Sequence, residues 1–378
     1  MILPRLFASH LNAAAFRHIL PGDPGKRFQK LCLFSSVAVQ ATPVSSVDNT
    51  NYQPSNTPIM SAPPSDQAGS SNVREQLRQQ FLADKSHHQS NGRFTNPWPS
   101  FSLQPNTKFF TSLLTTDRNP SSRSIAEGRA PKVLALNDAK ISEPSDLQLT
   151  WLGHASLLLQ INGATVLCDP VFSERCSPVQ WMGPKRYTRA PCQVDELPPG
   201  ILESLGFKDV SIGDWWDEFK GEFKFACTPA QHMTARGVFD RMATLWSSWV
   251  VQGPSGHRFF FSGDTAYSST YENESKAECP AFKQIGQVYG PFSLAAIAIG
   301  AYSPEILFST MHVTPEQAVR IHEDIGSKKS IGIHWGTFVL TAEEVDEPPK
   351  RLALEMEACG YPADEFTVLS IGETIQHK

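Results

Sequence analysis

The chain has 378 residues and a net charge of −5 at pH 7; 40% of its residues are hydrophobic and 19% are charged. That composition is typical of a globular core with flexible additions, and the negative charge argues against nucleic acid as a partner. No apolar run in the sequence approaches the roughly 18 residues of a membrane-spanning helix. Seven cysteines are scattered singly, without a C-x-x-C pair, which indicates a thiol-reducing compartment and argues against a zinc finger.

The beginning of the chain, residues 1–40, is basic and poor in acid. It contains five basic residues against a single acid, Asp23, and Leu3, Phe7 and Leu11 recur at helical spacing. This combination predicts a mitochondrial transit peptide. The alternative is a disordered basic tail that carries no address.

Two further segments precede the main domain. Residues 41–74 are rich in Ser, Pro, Asn and Thr, and they are predicted to form a disordered linker because they cannot bury enough apolar surface. Residues 75–146 mix helical and loop signals, which predicts an irregular arm on the domain that follows. His87 and His88 lie in this arm and are assigned no role.

Strand signals begin at residue 147 and define a domain over residues 147–378. The runs 147–161 and 164–172 are separated by Asn162-Gly163, the strongest short signal for a β-hairpin. The later strand-like runs are 222–228, 244–252, 258–262, 294–300, 330–334 and 365–371. Two stacks of strands with helices outside them form a layered α/β sandwich.

Two helices are predicted between the last three runs. The first begins at Thr314-Pro315, where Thr314 caps the helix, Pro315 fits its first turn and Gln317 completes a capping box. It ends at Gly326. The second helix spans roughly residues 347–359.

Polar residues with metal-binding chemistry end several of these strands. Asp264 follows FFFSG, His232 ends CTPAQH and His334 ends IGIH. Taken singly, each is more often a turn residue or a hydrogen-bonded histidine. Together, imidazole nitrogens and carboxylate oxygens are ligands for zinc, iron or manganese, and a bridging carboxylate with one histidine on each metal suits a two-metal hydrolase.

Long motifs of the chain resemble a known family. TWLGHASLLL, CDPVFSERCSPVQWMGPKRYTRAPC, TPAQH, FFFSGDTAY, MHVTPEQAVRIH and IHWGTF are similar to the N-acyl-phosphatidylethanolamine-hydrolysing phospholipase D family of the metallo-β-lactamase fold superfamily. The resemblance covers roughly residues 92–375. The chain is also similar to a fungal mitochondrial branch of that family, in agreement with the predicted transit peptide.

The resemblance implies an αββα sandwich with two zinc ions at the strand rim. His232 would bind one zinc, Asp264 would bridge both and His334 would bind the other. Asp169 would brace the metal loop, with His154 as a further supporting residue, and His312 would lie near the substrate as the catalytic residue. A metal-bridged hydroxide would attack the phosphodiester and release phosphatidic acid and an N-acylethanolamine.

The chain departs from the family at one place. The superfamily signature H-x-H-x-D-H, which supplies four metal-site ligands, should follow Pro198-Pro199, but Gly200 runs directly into Ile201 and no histidine stands between His154 and His232. A segment of a few dozen residues is missing, and with it one interior strand and a helix of the sandwich. The neighbouring strand would lose its backbone partners. Each ion would keep two protein ligands, below the three or more of catalytic zinc sites, so we expect hydrolysis to be impaired.

The composition of the stretch FSERCSPVQWMGPKRYTRAPC, residues 172–192, indicates contact with lipid. Its cationic, tryptophan and methionine side chains are Arg175, Trp181, Met182, Lys185, Arg186 and Arg189. Such a set suits an anionic lipid surface; the alternative is a solvated loop with a packed tryptophan. The expected partners are a phospholipid substrate, a membrane contacted peripherally and a second copy of the chain, and the expected location is mitochondrial and membrane-associated.

Three interpretations of function remain open. The chain is a phospholipase of this family recorded as a shortened isoform or an imperfect gene model. Alternatively, it is a non-catalytic relative that binds lipid or a partner, although the retained His232, Asp264, His312 and His334 argue against a long-abandoned site. The third interpretation is another hydrolase of the same fold, such as a lactonase, against which the long loop motif speaks.

Overall fold

A computed structural model of the chain describes residues 37–40, 66–101, 115–117, 119–177, 179–193, 197, 211–235, 240–269 and 277–377. Most of the predicted transit peptide (1–36), the first part of the predicted linker (41–65) and the junction between Gly200 and Ile201 lie outside the described residues. All of the predicted site residues lie inside them.

Two β-sheets form the centre of the described chain. Their strands are β1 (Val37–Gln40), β2 (Leu147–Gly153), β3 (Ser156–Ile161), β4 (Ala164–Cys168), β5 (Glu218–Lys220), β6 (Lys224–Thr228), β7 (Ser248–Gln252), β8 (Arg258–Phe261), β9 (Leu294–Ala298), β10 (Ser330–Ile333), β11 (Phe366–Thr367) and β12 (Thr374–Gln376). The first sheet has the order β1-β4-β3-β2-β12 and the second β11-β10-β9-β8-β7-β6-β5. The sequence predicted most of these strands but missed β5 and β12. It also missed β1, whose residues it assigned to the end of the transit peptide 1–40, although they pair with β4 in the first sheet.

The helices of the described chain precede the first sheet or cover the sheets. They are α1 (Asp66–Ala83), α2 (Asn119–Ala126), α3 (Asp138–Ser142), α4 (Ala281–Tyr289), α5 (Glu305–Phe308), α6 (Pro315–Ile325) and α7 (Glu347–Ala358). α1 begins inside the segment 41–74 that the sequence assigns to a linker. Its second half contains Arg, Glu, Gln and Leu, which are good helix formers and favour extension of the helix toward its start.

The hairpin between β3 and β4 forms at the predicted dipeptide. Ile161 pairs with Ala164, and Asn162 and Gly163 have φ angles of 45° and 81°. Positive φ at both central residues is the geometry of a type I′ turn, which asparagine and glycine adopt at low cost.

The two sheets enclose one hydrophobic core. Leu149 and Trp151 of β2 belong to the same buried cluster as Phe259 and Phe261 of β8. Since side chains alternate along a strand, Leu152 of β2 points to the opposite face, where it packs with a smaller cluster beside α3. Both faces of the first sheet are therefore covered.

Helices complete the outer layers. On the first sheet, Gln148 donates its side-chain amide to the Lys140 carbonyl at 2.7 Å and Gln160 donates to the Ile141 carbonyl at 2.9 Å, which ties α3 to β2 and β3. On the second sheet, α6 packs between α4 and α7 and against β9. The result is the predicted αββα sandwich.

The outer edge of β4 shows how the first sheet differs from the expectation. The sequence predicts that the missing strand would leave part of the first sheet without backbone partners, but the outer edge of β4 is paired antiparallel by β1, from Val37 opposite Cys168 to Gln40 opposite Thr165. No strand or helix occurs between β4 and β5 among the described residues there. Because β-branched residues favour extended backbone, the Val-Ala-Val-Gln segment can serve as an edge strand.

The helix α6 confirms the predicted capping signals. The Thr314 hydroxyl accepts the backbone N–H of Gln317, the Gln317 side chain accepts the N–H of Thr314, and Pro315 opens the first turn. Gly326 ends the helix in the left-handed conformation, at φ 66°. Helix α4 was missed, although its buried residues Phe282, Ile285 and Tyr289 repeat at helical spacing.

Candidate metal centre

Three strands of the second sheet bring the predicted metal ligands to one edge. β6 and β7 are antiparallel, as are β7 and β8, whereas β8, β9 and β10 are parallel. β6, β8 and β10 therefore run in one direction and end at the same edge of the sheet. His232, Asp264 and His334 each follow the end of one of these strands, so the predicted spacing does bring them to a common rim.

His334 and Asp264 are in direct contact. His334 Nε2 lies 3.0 Å from Asp264 Oδ1, and the histidine side chain is fully buried while the carboxylate is 14% exposed. Burial lowers the pKa of His334, but the charge and hydrogen bond of Asp264 raise it more, so the net shift is upward. His334 Nδ1 lies 3.3 Å from the Gly300 carbonyl, which fixes the orientation of the ring.

His312 lies between the other two histidines. Its ring centroid is 5.2 Å from that of His232 and 5.1 Å from that of His334, and all three residues are buried. His232 Nδ1 donates to the Met233 carbonyl at 2.6 Å. Burial lowers the pKa of His232, although Asp264 opposes the shift. His232 is therefore neutral at pH 7, the form in which imidazole binds metals.

The predicted supporting residues lie at the end of the first sheet. The His154 ring centroid is 4.2 Å from that of His334, and the His154 carbonyl accepts the backbone N–H of His334 at 2.9 Å. Asp169 follows β4 with a positive φ of 40°, and its backbone carbonyl accepts the Ser156 hydroxyl at 2.6 Å. His154 thus supports His334 directly, and Ser156 fixes the backbone at Asp169.

Two contacts of the arm were not predicted. The Asn96 amide donates to the His232 carbonyl at 2.7 Å and its oxygen accepts the His232 N–H at 3.2 Å. Ser100 donates its hydroxyl to the side-chain oxygen of Gln231 at 2.6 Å. These residues lie more than 130 positions before His232 in the chain, so no local signal points to the pairing.

Glu343 is a further residue that the sequence did not indicate. Its carboxylate accepts the backbone N–H groups of Ala301 and Ser303 at 2.7 and 3.0 Å. Burial raises the pKa of Glu343, and its charge contributes to the raised pKa of His334. Glu343 also lines a small cavity beside His334 together with Tyr187.

The side chains of the predicted lipid-contact loop form two groups, those that bind the loop's own backbone and those that face solvent. Arg186 is buried, and its guanidinium donates to the carbonyls of Ser173 and Val171 at 3.1 and 2.8 Å. Arg175 likewise donates to carbonyls of its own loop, those of Gln180 and Gly183. These two arginines hold the loop together.

The outer side chains of the same loop face solvent. Trp181 is 75% exposed, Lys185 and Arg189 are exposed, and Met182 is half-buried. The packed-tryptophan alternative is therefore wrong for Trp181. No helix among the described residues is both long enough and apolar enough to cross a bilayer.

The donor set fits a metal in type but not in number. Imidazole nitrogens and a carboxylate are zinc ligands, yet within the described part of the chain His232, Asp264 and His334 do not all place ligand atoms within 4.8 Å of one another. One ion cannot be held by all three as they stand. With Asp264 as a bridge, each of two ions would have two protein ligands, fewer than the usual three or more.

Comparison with known proteins identifies the family. Residues 200–335 match a beta-lactamase superfamily domain. N-acyl-phosphatidylethanolamine-hydrolyzing phospholipase D 1 of Caenorhabditis elegans is 33% identical in an alignment of 304 residues that covers 67% of this chain and 82% of that protein. The chain belongs to the N-acyl-phosphatidylethanolamine-hydrolysing phospholipase D family. The family consists of enzymes of the metallo-β-lactamase fold, which agrees with the two-sheet sandwich.

Two more distant relatives of this phospholipase D family member agree with the assignment. The mitochondrial N-acyl-phosphatidylethanolamine-hydrolyzing phospholipase D of Saccharomyces cerevisiae is 28% identical in an alignment of 255 residues that covers 56% of this chain and 52% of that protein. A metal-dependent hydrolase of Methanopyrus kandleri is 24% identical in an alignment of 257 residues that covers 61% of this chain and all of that protein. The chain is thus related to metal-dependent hydrolases.

Proposed function

We propose that the chain is a phospholipase D-type zinc hydrolase whose activity on N-acyl-phosphatidylethanolamine is impaired by the missing H-x-H-x-D-H segment. The family assignment supports N-acyl-phosphatidylethanolamine as the substrate. Hydrolysis of its phosphodiester would give N-acylethanolamine and phosphatidic acid. The observation that carries the impairment is the ligand count at His232, Asp264 and His334, which leaves two protein ligands for each of two ions.

The residues that remain suit the second half of such a centre. His232 is neutral and buried, Asp264 lies beside His334, and His312 stands between the two other imidazoles. Zinc, when bound, supplies a nucleophile at neutral pH and stabilises charge on phosphoryl oxygens. Because the donor number falls short, the three predicted ligands alone do not make a catalytic zinc site.

A chimera tests the proposal. A segment with the superfamily pattern H-x-H-x-D-H is inserted between Gly200 and Ile201, and the chimera and the original chain are compared for zinc content and for release of N-acylethanolamine. We expect activity in the chimera alone, and its loss in the chimera with Asp264→Asn. Two tightly bound zinc ions at the candidate centre of the original chain, together with full turnover, would refute the impairment.

The second candidate function is membrane binding without turnover. Trp181, 75% exposed, stands beside the exposed cations Lys185 and Arg189, and an exposed tryptophan flanked by cations favours an anionic lipid interface. Co-sedimentation with vesicles of phosphatidylcholine and phosphatidylserine tests this function. Trp181→Ala should reduce binding, and Leu354→Ala, which removes another exposed apolar side chain at 65% exposure, should not. Equal binding by the two variants contradicts lipid contact at this loop.

The proposed location is mitochondrial. The basic, acid-poor composition of residues 1–40 supports it, as does the mitochondrial name of the yeast relative. Residues 1–40 fused to a fluorescent protein should direct it to mitochondria. A diffuse signal would favour the disordered basic tail instead.

A further inference from the structure

A second group of metal-ligating side chains lies where the arm meets the residues before β5. His87 Nε2 is 2.7 Å from Asp214 Oδ1, and His88 Nε2 is 2.9 Å from Asp214 Oδ2. Within the described part of the chain, this is the one group of three or more His, Cys, Asp or Glu residues whose ligand atoms all lie within 4.8 Å of one another. It shares no residue with the candidate metal centre.

The two imidazoles are held in place by aromatic packing. His87 is only 2% exposed, and its ring stacks on Trp215 with centroids 4.2 Å apart. The ring of His88 lies 4.5 Å from that of His87 and 5.0 Å from that of Phe94. Ligands fixed by packing lose less conformational entropy when they bind an ion.

The carboxylate is also oriented by its surroundings. Asp214 Oδ1 accepts the backbone N–H of Trp215 at 2.8 Å, and the backbone N–H of Asp214 donates to Asp217 Oδ2 at 2.7 Å. Burial raises the pKa of Asp214, but hydrogen bonds from His87, Lys85 and His88 lower it more. The backbone contacts at Trp215 and Asp217 hold the carboxylate beside the two imidazoles.

The ammonium group of Lys85 already forms an ion pair with Asp214. Lys85 Nζ lies 2.7 Å from Asp214 Oδ2, and the lysine side chain is 45% exposed. An exposed ammonium can move into water at little cost, since surface ion pairs contribute little to stability. Lys85 thus competes with a metal ion for the same oxygen but does not block access to it.

We propose that His87, His88 and Asp214 form a zinc site that fastens the arm to the domain. Two imidazole nitrogens and a carboxylate oxygen are zinc ligands, and water would complete a tetrahedral set. With bonds of roughly 2.0–2.1 Å, tetrahedral ligands lie roughly 3.3 Å apart. The present N–O pairs need to open by roughly half an ångström to admit the ion.

The proposed zinc site also acts on the candidate centre through the arm. His87 and His88 stand a few residues before Asn96, whose side chain holds the backbone of His232 on both sides. An ion that fixes residues 87–88 to Asp214 limits the movement of the segment that carries Asn96. The zinc site is therefore structural, and it supports a ligand of the other site.

Zinc titration of the full chain tests the proposal in a background that disables the candidate centre. The chain with Asp264→Asn is stripped of metal and titrated with zinc in competition with a chromophoric chelator. We expect one zinc ion per chain. Adding His88→Ala, which removes an exposed ligand and leaves buried His87 intact, should weaken binding by at least about tenfold. His257→Ala, a second partly exposed histidine, is the matched control and should change nothing.

The competing lysine supplies an independent test. Lys85→Ala in the same background should tighten zinc binding by roughly two- to fivefold, because it removes the ion pair with Asp214. Absence of zinc binding, binding that His88→Ala leaves unchanged, or affinity that Lys85→Ala fails to raise would each overturn the site and leave a hydrogen-bonded contact. None of these readouts depends on phospholipid hydrolysis, so they stand apart from the proposed function.

Discussion

Asn96 is the side chain through which the arm stabilises the candidate centre, and its removal should be costly. Asn96→Ala deletes the bonds to the His232 carbonyl and N–H at 2.7 and 3.2 Å, and a third bond accepted from the Trp246 indole at 3.2 Å. The indole also donates to the Ala230 carbonyl at 2.8 Å, so it keeps a partner. The main loss therefore falls on the backbone of buried His232.

The expected cost follows from the two bonds to His232. A hydrogen bond contributes about 0.5–1.5 kcal/mol, and a buried backbone group that loses its partner costs about 1–3 kcal/mol. We expect Asn96→Ala to lower the free energy of unfolding by about 2–4 kcal/mol. Urea denaturation followed by tryptophan fluorescence measures the change, with a chelator present so that metal binding does not contribute.

A second asparagine of the arm provides the control. Asn91 is exposed and its side-chain oxygen accepts one backbone N–H, that of Arg93 at 3.0 Å. Asn91→Ala should cost less than about 1 kcal/mol because water replaces the lost partner. If the two substitutions lower stability equally, the arm does not hold His232 in the way described.

Three further predictions concern the framework. Gly372→Ala and Gly163→Ala both place a side chain at positive φ, 88° and 81°, but a Cβ at Gly372 collides with the Leu134 carbonyl whereas one at Gly163 meets open space. In urea denaturation, Gly163→Ala should lower the free energy of unfolding by about 1 kcal/mol, and Gly372→Ala should lower it by at least about 2 kcal/mol more. Thr314→Ala removes the N-cap of α6 and should cost about 1 kcal/mol in the same assay, with Thr314→Ser close to the original. Burial lowers the pKa of His322 in the folded state. Because the unfolded state then binds more protons, the free energy of unfolding should fall as the pH is lowered through about 6.5 and toward the folded-state pKa. His322→Gln should flatten that dependence on pH. Equal costs at the two glycines, an unchanged Thr314→Ala or an identical pH profile would each contradict the corresponding argument.

The elements that were predicted correctly have local causes. The Asn162-Gly163 hairpin depends on two residues that accept positive φ, and α6 depends on Thr314, Gln317 and Gly326, all adjacent to the helix. The strand-end positions of Asp264 and His334 were equally readable, because each follows a short apolar run. These features need only neighbouring residues for their explanation.

The features that were missed depend on distant partners. β12 is a three-residue strand that exists because it pairs with β2, which lies more than 200 residues earlier. His87 was placed in an irregular arm, yet Trp215 and Asp214 bury it from the far side of the sequence. Neither pairing gives a local sequence signal, since histidine is intermediate in burial and the residues next to it do not show whether a distant segment covers it.

The predicted ligands His232, Asp264 and His334 are each positioned by contacts with other parts of the described chain. His232 is held by Asn96 of the arm, and the backbone of His334 by the carbonyl of His154 at the turn between β2 and β3. Asp264 follows β8, which is paired on both sides by β7 and β9. None of these contacts involves residues at the junction between Gly200 and Ile201. The three predicted ligands are therefore positioned by contacts that do not require an H-x-H-x-D-H segment, so insertion of that segment should leave them in place.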